Sequence, residues 1–217
     1  MLGDEEQITK PQCEYYTKTN LKDYLNEEDD SFKIGCANAY SHITNIHYHP
    51  DKNIISAFCE YTNYWFYGKL KSTDKITYNE KLLQEFFKGN GNLEYCVGHT
   101  EAIDEHTYSY LKKLEKLYEK FYIFEKKPST QVHNRCEKGD ECVQGYKKHK
   151  STCIENGNNR FCNELENFRD LFNTHLKSQT ECKHIGELPS FQGSSLAATI
   201  SIPVSVMSVI SFFSFVT

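Results

Sequence analysis

Apolar residues recur along most of this chain at helical spacing, and their stops divide it into helix-length pieces. The first predicted helix runs from about Lys10 to Asn26, carries Cys13, Tyr16, Leu21 and Leu25, and ends in the acidic "NEEDD". A second covers "FKIGCANAYSHITNI" and leads into "HYHPDKN", where Pro50 suits a helix start. The third, from about Asp51 to Leu70, is the richest: Ile54, Ile55, Phe58, Cys59, Thr62, Trp65 and Phe66 form a broad apolar face. "YNEKLLQEFF" is a shorter helix stopped by "GNGN", whose glycines tolerate positive φ. The stretch from "EYCVGH" to "IFEKKP" reads as one long helix with Tyr110, Leu114, Leu117, Phe121 and Phe124 on one side, ended by Pro128. "STQVHNRCEKGDEC" reads as a loop, followed by helices at about Cys142 to Lys150 and Cys162 to Lys177 with the loop "CIENGNNRF" between them. After Cys182, "KHIGELPSFQGSS" has the Pro, Gly and Ser of a linker.

The pattern changes at the C-terminal end. From Leu196 to Thr217 there are 22 residues without a charge, 11 of them Leu, Ile, Val or Phe. As a helix this segment would be about 33 Å long, enough to cross a hydrocarbon core of about 30 Å. Its apolar residues contribute at most about -3 to -7 kcal/mol to insertion, opposed by five serines, two threonines and Pro203. The expectation is a membrane anchor carried by Leu196, Ile200, Ile202, Val206, Val209, Ile210, Phe212 and Phe213.

Nine cysteines, at positions 13, 36, 59, 96, 136, 142, 153, 162 and 182, point to an oxidising compartment. Spacing alone leaves their pairing open, and one must remain reduced or bond to another chain. A helix persisting from Cys142 to Cys153 would hold their Cα atoms about 16 Å apart, so these two seek partners elsewhere. Cys162 shares a stripe with Leu165, Phe168, Phe172 and Leu176, which predicts an inward thiol that staples its helix to another element. The start, "MLGDEEQITK", is acidic and unlike a secretory leader. A C-terminal anchor without a leader would leave the domain in the cytosol, where disulfides are disfavoured, so the expectation is reduced cysteines, an unconventional export route, or a longer natural chain. A lipid-anchor signal at Gly193, Ser194 and Ser195 is a further alternative.

Composition excludes several functions. A net charge of -5, with lysines interleaved among acids as in "LKKLEKLYEKFYIFEKK", leaves no basic stripe for nucleic acid. No nucleophile elbow, phosphate loop or His-Glu-x-x-His motif is present, so no enzyme, cofactor or small-molecule substrate is expected. His42, His47 and His49 in "SHITNIHYHP" lack the further ligands of a metal site. Cys136, Cys142, Cys153 and Cys162, with His133 and His149 nearby, have no Cys-x-x-Cys spacing and suit disulfides better than zinc.

Four strings carry a more specific signal: "FCEYTNYWFYGKL" (58–70), "CEKGDECVQGYKKHKSTC" (136–153), "FCNELENFRDLFNTH" (161–175) and the "LPSFQGSS" linker. Together, in this order and ahead of the apolar segment, they closely resemble the Vir proteins. These are variant surface proteins of the Plasmodium interspersed repeat family, of the Plasmodium vivax type. Phe58, Tyr64 and Trp65 stand in the Cys-then-Tyr-Trp core motif. Thr62 and Gly68 depart from the family's usual Leu and acidic residue, which loosens the end of that helix, and the family's basic tail does not follow Thr217. The resemblance implies an all-α, disulfide-stapled ectodomain with one C-terminal transmembrane helix: residues 1–183 as the ectodomain, 184–195 as linker and 196–217 as the span. It further implies export to the infected red-cell surface with residues 1–190 outside. The implied role is antigenic variation and immune evasion, with host antibodies or a host-cell receptor as partners.

Overall fold

The computed structural model describes residues 5–22, 30–46, 48, 52–73, 77–98, 101–126, 132–155 and 160–191. All regular structure among these residues is helical: α1 (Glu5–Asn20), α2 (Asp30–Ile46), α3 (Lys52–Lys71), α4 (Glu80–Gly89), a 3₁₀ helix (Gly91–Cys96), α5 (Glu105–Glu125), α6 (Val132–Lys147), α7 (Lys150–Glu155) and α8 (Arg160–Ser178). The chain divides into two compact units, with the boundary between Tyr108 and Ser109.

In the first unit, α1 packs on α2, α2 on α3, and the 3₁₀ helix against α2, α3 and α4. Phe58, Phe66, Phe86 and Phe87 form an aromatic centre with Tyr16 and Phe32, all fully or nearly fully buried. Phe66 stacks on Phe86 with centroids 4.3 Å apart, and Tyr16 meets the same ring edge-on at 5.5 Å. Such geometries add about 0.5–1.5 kcal/mol per pair to the burial itself. Local chemistry sets the helix ends. Asn79 caps α4 by accepting the Leu82 N–H at 3.0 Å. At the other end the buried Asn90 donates its amide to the Phe86 carbonyl at 2.6 Å. Gly91 follows with φ +58, as the glycine stop predicts.

In the second unit, Leu114, Leu117, Tyr118, Phe121 and Phe124 of α5 face Phe161, Leu165, Phe168 and Phe172 of α8 across one core. The inward stripe predicted for α8 is present, and Cys162 is buried on it.

Several boundaries differ from the sequence reading. α1 ends at Asn20 rather than Asn26, with Leu21 buried just beyond it and Leu25 outside the described residues. The long helix begins at Glu105; the "EYC" ahead of it belongs to the 3₁₀ helix, followed by a turn at Gly98 with φ +88. Cys136 to Cys142, expected in a loop, lies inside α6. Gly139 stands in the middle of that helix. In the fold it is what lets α6 approach its neighbours: a Cβ there would stand 2.9 Å from Phe124 Cε2. The helix then stops at Lys147, so α6 and α7 are separate pieces.

The largest correction concerns 184–191, expected to be linker. Ile185, Leu188 and Phe191 are buried. Phe191 stacks on Tyr146 at 4.3 Å, and the Tyr146 hydroxyl donates to the Pro189 carbonyl at 2.8 Å. Asn173 brackets Leu188, accepting its N–H at 2.8 Å and donating to its carbonyl at 3.0 Å. Glu166 accepts from the Phe191 N–H at 2.7 Å and the Ser190 hydroxyl at 2.9 Å. These side chains meet the backbone groups of a segment that has no helix or sheet to satisfy them.

Candidate functional site

The chemistry-bearing residues are assembled mainly as cross-links. Cys13 pairs with Cys36, Cys59 with Cys96, Cys136 with Cys182 and Cys153 with Cys162, at Cα–Cα distances of 5.9, 5.2, 5.4 and 5.5 Å. All lie within the range disulfides favour. The bridges join α1 to α2, α3 to the 3₁₀ helix, α6 to the segment after α8, and α7 to α8. Cys142 and Cys153 are not partners, although the single helix assumed between them is broken after Lys147, and Cys162 staples α8 as expected. The zinc alternative for Cys136, Cys142, Cys153 and Cys162 is set aside because three of the four are in disulfides. Among the described residues no group of three or more His, Cys, Asp or Glu is placed to hold a metal ion.

The leftover cysteine is Cys142, fully buried, with its sulfur 3.9 Å from the Leu117 carbonyl oxygen. Loss of hydration pushes its thiol up to about 12. It is neither a nucleophile near neutral pH nor exposed for a bond to another chain.

Cys182 sits at φ +56, in the left-handed region, where the chain turns out of α8 toward 183–191. A residue with a Cβ pays about 1–2 kcal/mol for that conformation. The bridge to Cys136 holds it there. Beside it the buried Arg135 pairs with Glu181.

The core motif is packing. Phe58 is buried, Tyr64 is buried with its ring 5.2 Å from Tyr108, and the half-buried Trp65 lies 5.3 Å from Phe32. Trp65 occupies the space above Gly35, where a Cβ would stand 2.7 Å from its Cε2. Thr62 and Gly68, the two positions that depart from the resemblance, are both packed. Thr62 is buried and donates to the Phe58 carbonyl at 2.9 Å, while Gly68 lies under the Tyr108 hydroxyl.

A polar cluster around α3 was not foreseen. The Tyr67 hydroxyl donates to Glu105 Oε2 at 2.8 Å, Lys71 pairs with the other Glu105 oxygen, and Tyr67 stacks on Tyr108 at 4.6 Å. Loss of hydration, then the bond to Glu105, lifts the Tyr67 phenol to about 12. Hydrogen bonds from Lys71 and then Tyr67 hold the Glu105 carboxyl below its usual range. Tyr78 donates to Asn63 Oδ1 at 2.5 Å and accepts the Ile103 N–H at 3.2 Å, and Asn63 donates to the Glu101 carbonyl at 2.8 Å. The cluster ties 101–105 to α3. Its signal in the sequence is the tyrosine repeat at 61, 64 and 67 followed by Lys71, at helical spacing on one side of α3.

Of the three histidines, His42 is half-buried with its pKa lowered by burial, whereas His47 and His49 lie outside the described residues. No helix among the described residues is long and apolar enough to cross a membrane. The anchor positions Leu196, Ile200, Ile202, Val206, Val209, Ile210, Phe212 and Phe213, and the small residues Gly193, Ser194 and Ser195, also lie outside them.

Among the described residues the regular structure is therefore all helical, cross-linked by four disulfides. No family model, curated protein or solved structure matches it.

Proposed function

We propose that this chain is a membrane-anchored variant surface antigen of the Vir type, presented on the infected red cell for antigenic variation and immune evasion. The observation that carries the reading is the ordered set of strings "FCEYTNYWFYGKL", "CEKGDECVQGYKKHKSTC", "FCNELENFRDLFNTH" and "LPSFQGSS" ahead of an uncharged 22-residue segment. Four disulfide pairs among nine cysteines support it, because such pairs persist on the oxidising side of a membrane. In this role the bridges and aromatic cores hold a scaffold on which exposed side chains can change. Tyr15, Tyr95 and Ile34 in the first unit, and Ile123 in the second, are large apolar groups already on that surface.

The test is antibody labelling of intact infected red cells with serum raised against residues 1–190, together with thiol counting on protein taken directly from those cells. Surface labelling and a single free thiol are expected. Labelling only after permeabilisation, with eight or nine free thiols, would instead establish an intracellular, reduced protein. A dedicated adhesin would be distinguished by saturable binding of the domain to a host-cell panel.

A further inference from the structure

In the first unit a run of tyrosines is in unbroken ring contact. Tyr61 meets Tyr64 at 5.8 Å between centroids, Tyr64 meets Tyr108 at 5.2 Å, Tyr108 meets Tyr67 at 4.6 Å and Tyr67 meets Tyr78 at 4.8 Å. Packing accounts for most of the run: Tyr64 is buried, and the Tyr78 hydroxyl is engaged with Asn63 and the Ile103 N–H. The closest pair differs. Tyr67 and Tyr108 are only half-buried, and a carboxylate already holds the proton of one of them.

The two rings lie within 30° of parallel. Gly68, the residue after Tyr67, lets Tyr108 settle on α3: a Cβ there would stand 3.0 Å from the Tyr108 hydroxyl and 3.4 Å from its Cε2. The edge of Tyr108 laid on α3 therefore carries Oη and Cε2, a carbon ortho to the hydroxyl. Burial first, then Glu105 and then Tyr108 raise the pKa of the Tyr67 phenol, so the two hydroxyl groups lie within electrostatic reach of one another. Tyr67 donates to Glu105 Oε2 at 2.8 Å, while Lys71 pairs with the other oxygen and, ahead of Tyr67, holds that carboxyl in its ionised form. Removing an electron from a phenol makes its proton strongly acidic, so the electron leaves most easily where a base within hydrogen-bond reach takes the proton. Lys71 also stands 5.5 Å over the Tyr108 ring, which disfavours a charged radical cation there and favours the neutral phenoxyl.

We propose that Tyr67 and Tyr108 are a site of oxidative modification, coupled by a peroxide-driven one-electron oxidant into a dityrosine cross-link between α3 and α5, with Glu105 accepting the Tyr67 proton. Each phenol gives up one electron and one proton. The two phenoxyl radicals pair to form a bond between ring carbons ortho to the hydroxyls, and the hydrogens on those carbons then move to oxygen and restore both phenols. Hydrogen peroxide takes up the two electrons and two protons and becomes two molecules of water. The product is a carbon–carbon bridge that thiols do not cleave, in a unit whose other covalent bridges among the described residues, Cys13–Cys36 and Cys59–Cys96, are disulfides. The inference stands independently of the anchored reading above.

The experiment treats the full chain, dilute in mild detergent and with its disulfides intact, with a haem peroxidase and hydrogen peroxide. It reads dityrosine fluorescence and, after reduction and digestion, the masses of joined peptides. The expected product is monomeric, lighter by two hydrogen atoms, and joins the peptides that carry Tyr67 and Tyr108. Tyr67→Phe and Tyr108→Phe, which keep the stacked rings, should each lose that peptide pair. Glu105→Gln keeps a hydrogen-bond acceptor but removes the base, and should slow formation of the pair about tenfold while leaving the melting temperature unchanged. Dityrosine confined to joints between chains, through exposed tyrosines such as Tyr15 or Tyr95, overturns the assignment of the site. Loss of tyrosine without any joined 67–108 peptide overturns the coupling itself. An equal rate in Glu105→Gln overturns the role given to Glu105.

Discussion

Gly139 of α6 lies against Phe124 of α5 so closely that a Cβ on it would stand 2.9 Å from the ring carbon Cε2. The same Cβ would press on the buried Ile185. A methyl group here must displace a fully buried ring, and overpacking of that kind costs about 1–3 kcal/mol. The gain in helix propensity returns about 1 kcal/mol at most. Gly139→Ala is therefore expected to lower stability by about 1–2 kcal/mol, read as a denaturant midpoint with the disulfides intact. A more stable variant would show that α6 has room to move away.

A second close approach, in the first unit, can be read optically. Trp65 is the chain's single tryptophan, and its indole occupies the space a Cβ at Gly35 would take. Gly35→Ala should push the indole outward, shifting its emission to the red and increasing quenching by iodide. An unchanged spectrum would mean that α2 itself had shifted.

The disulfides should differ in weight according to the loops they close. Cys59 and Cys96 are 37 residues apart, and Cys153 and Cys162 are 9 apart. Loop-closure entropy assigns them about 4 and about 2.5 kcal/mol respectively. Paired alanine substitutions, compared by urea denaturation, should preserve that order.

Alkaline conditions should loosen the second unit. Burial holds the Cys142 thiol at about 12 against an ordinary 9.0, and the buried Tyr146 and Tyr118 phenols are also raised. Above about pH 9 the unfolded chain binds fewer protons than the native one, so stability falls as pH climbs toward the folded value. In native protein at neutral pH, Ellman's reagent should find no reactive thiol. After unfolding without reductant it should find one, the Cys142 thiol.

Acid acts on a different group. His149 is held neutral by burial first, and by Lys113 and Lys148 second. Its folded pKa lies below the unfolded one, so its contribution is present above about pH 6.5 and is lost as pH falls through the depressed value. His149→Phe should flatten the urea midpoint between about pH 7.5 and 5.5, ahead of any carboxylate titration. A retained slope of full size would assign the effect to His42, which burial also depresses.

Helix type and helix faces were legible wherever periodicity ran without interruption. α3 and α8 lie within about two residues of their expected ends, because Phe58, Phe66, Leu165, Phe168 and Phe172 keep helical register over several turns. The separation of Cys142 from Cys153 was argued from one continuous helix, whereas the chain breaks between α6 and α7. What was missed shares a cause. Gly139 and the Pro and Gly of 184–191 carry loop propensities, worth about 1 kcal/mol for a glycine and about 3 kcal/mol for a proline. Against it stand the burial of Phe124, Ile185, Leu188 and Phe191, and the backbone bonds supplied by Asn173 and Glu166. The tyrosine cluster on α3 was half visible, as a repeat without its acceptor Glu105, which arrives 34 residues after Lys71.

By itself the sequence determined the helical class, the inward faces of the main helices and the expectation of cysteine pairs with one of the nine left over, all of which follow from short-range spacing and composition. Only the tertiary structure decided which cysteines meet, which one stays buried as a thiol, and that 184–191 is bound to α6 and α8 rather than free. Those outcomes depend on contacts between residues far apart in the chain, such as Cys136 with Cys182 or Tyr146 with Pro189. Such contacts exist only once several helices have closed on one core, and no local pattern encodes them.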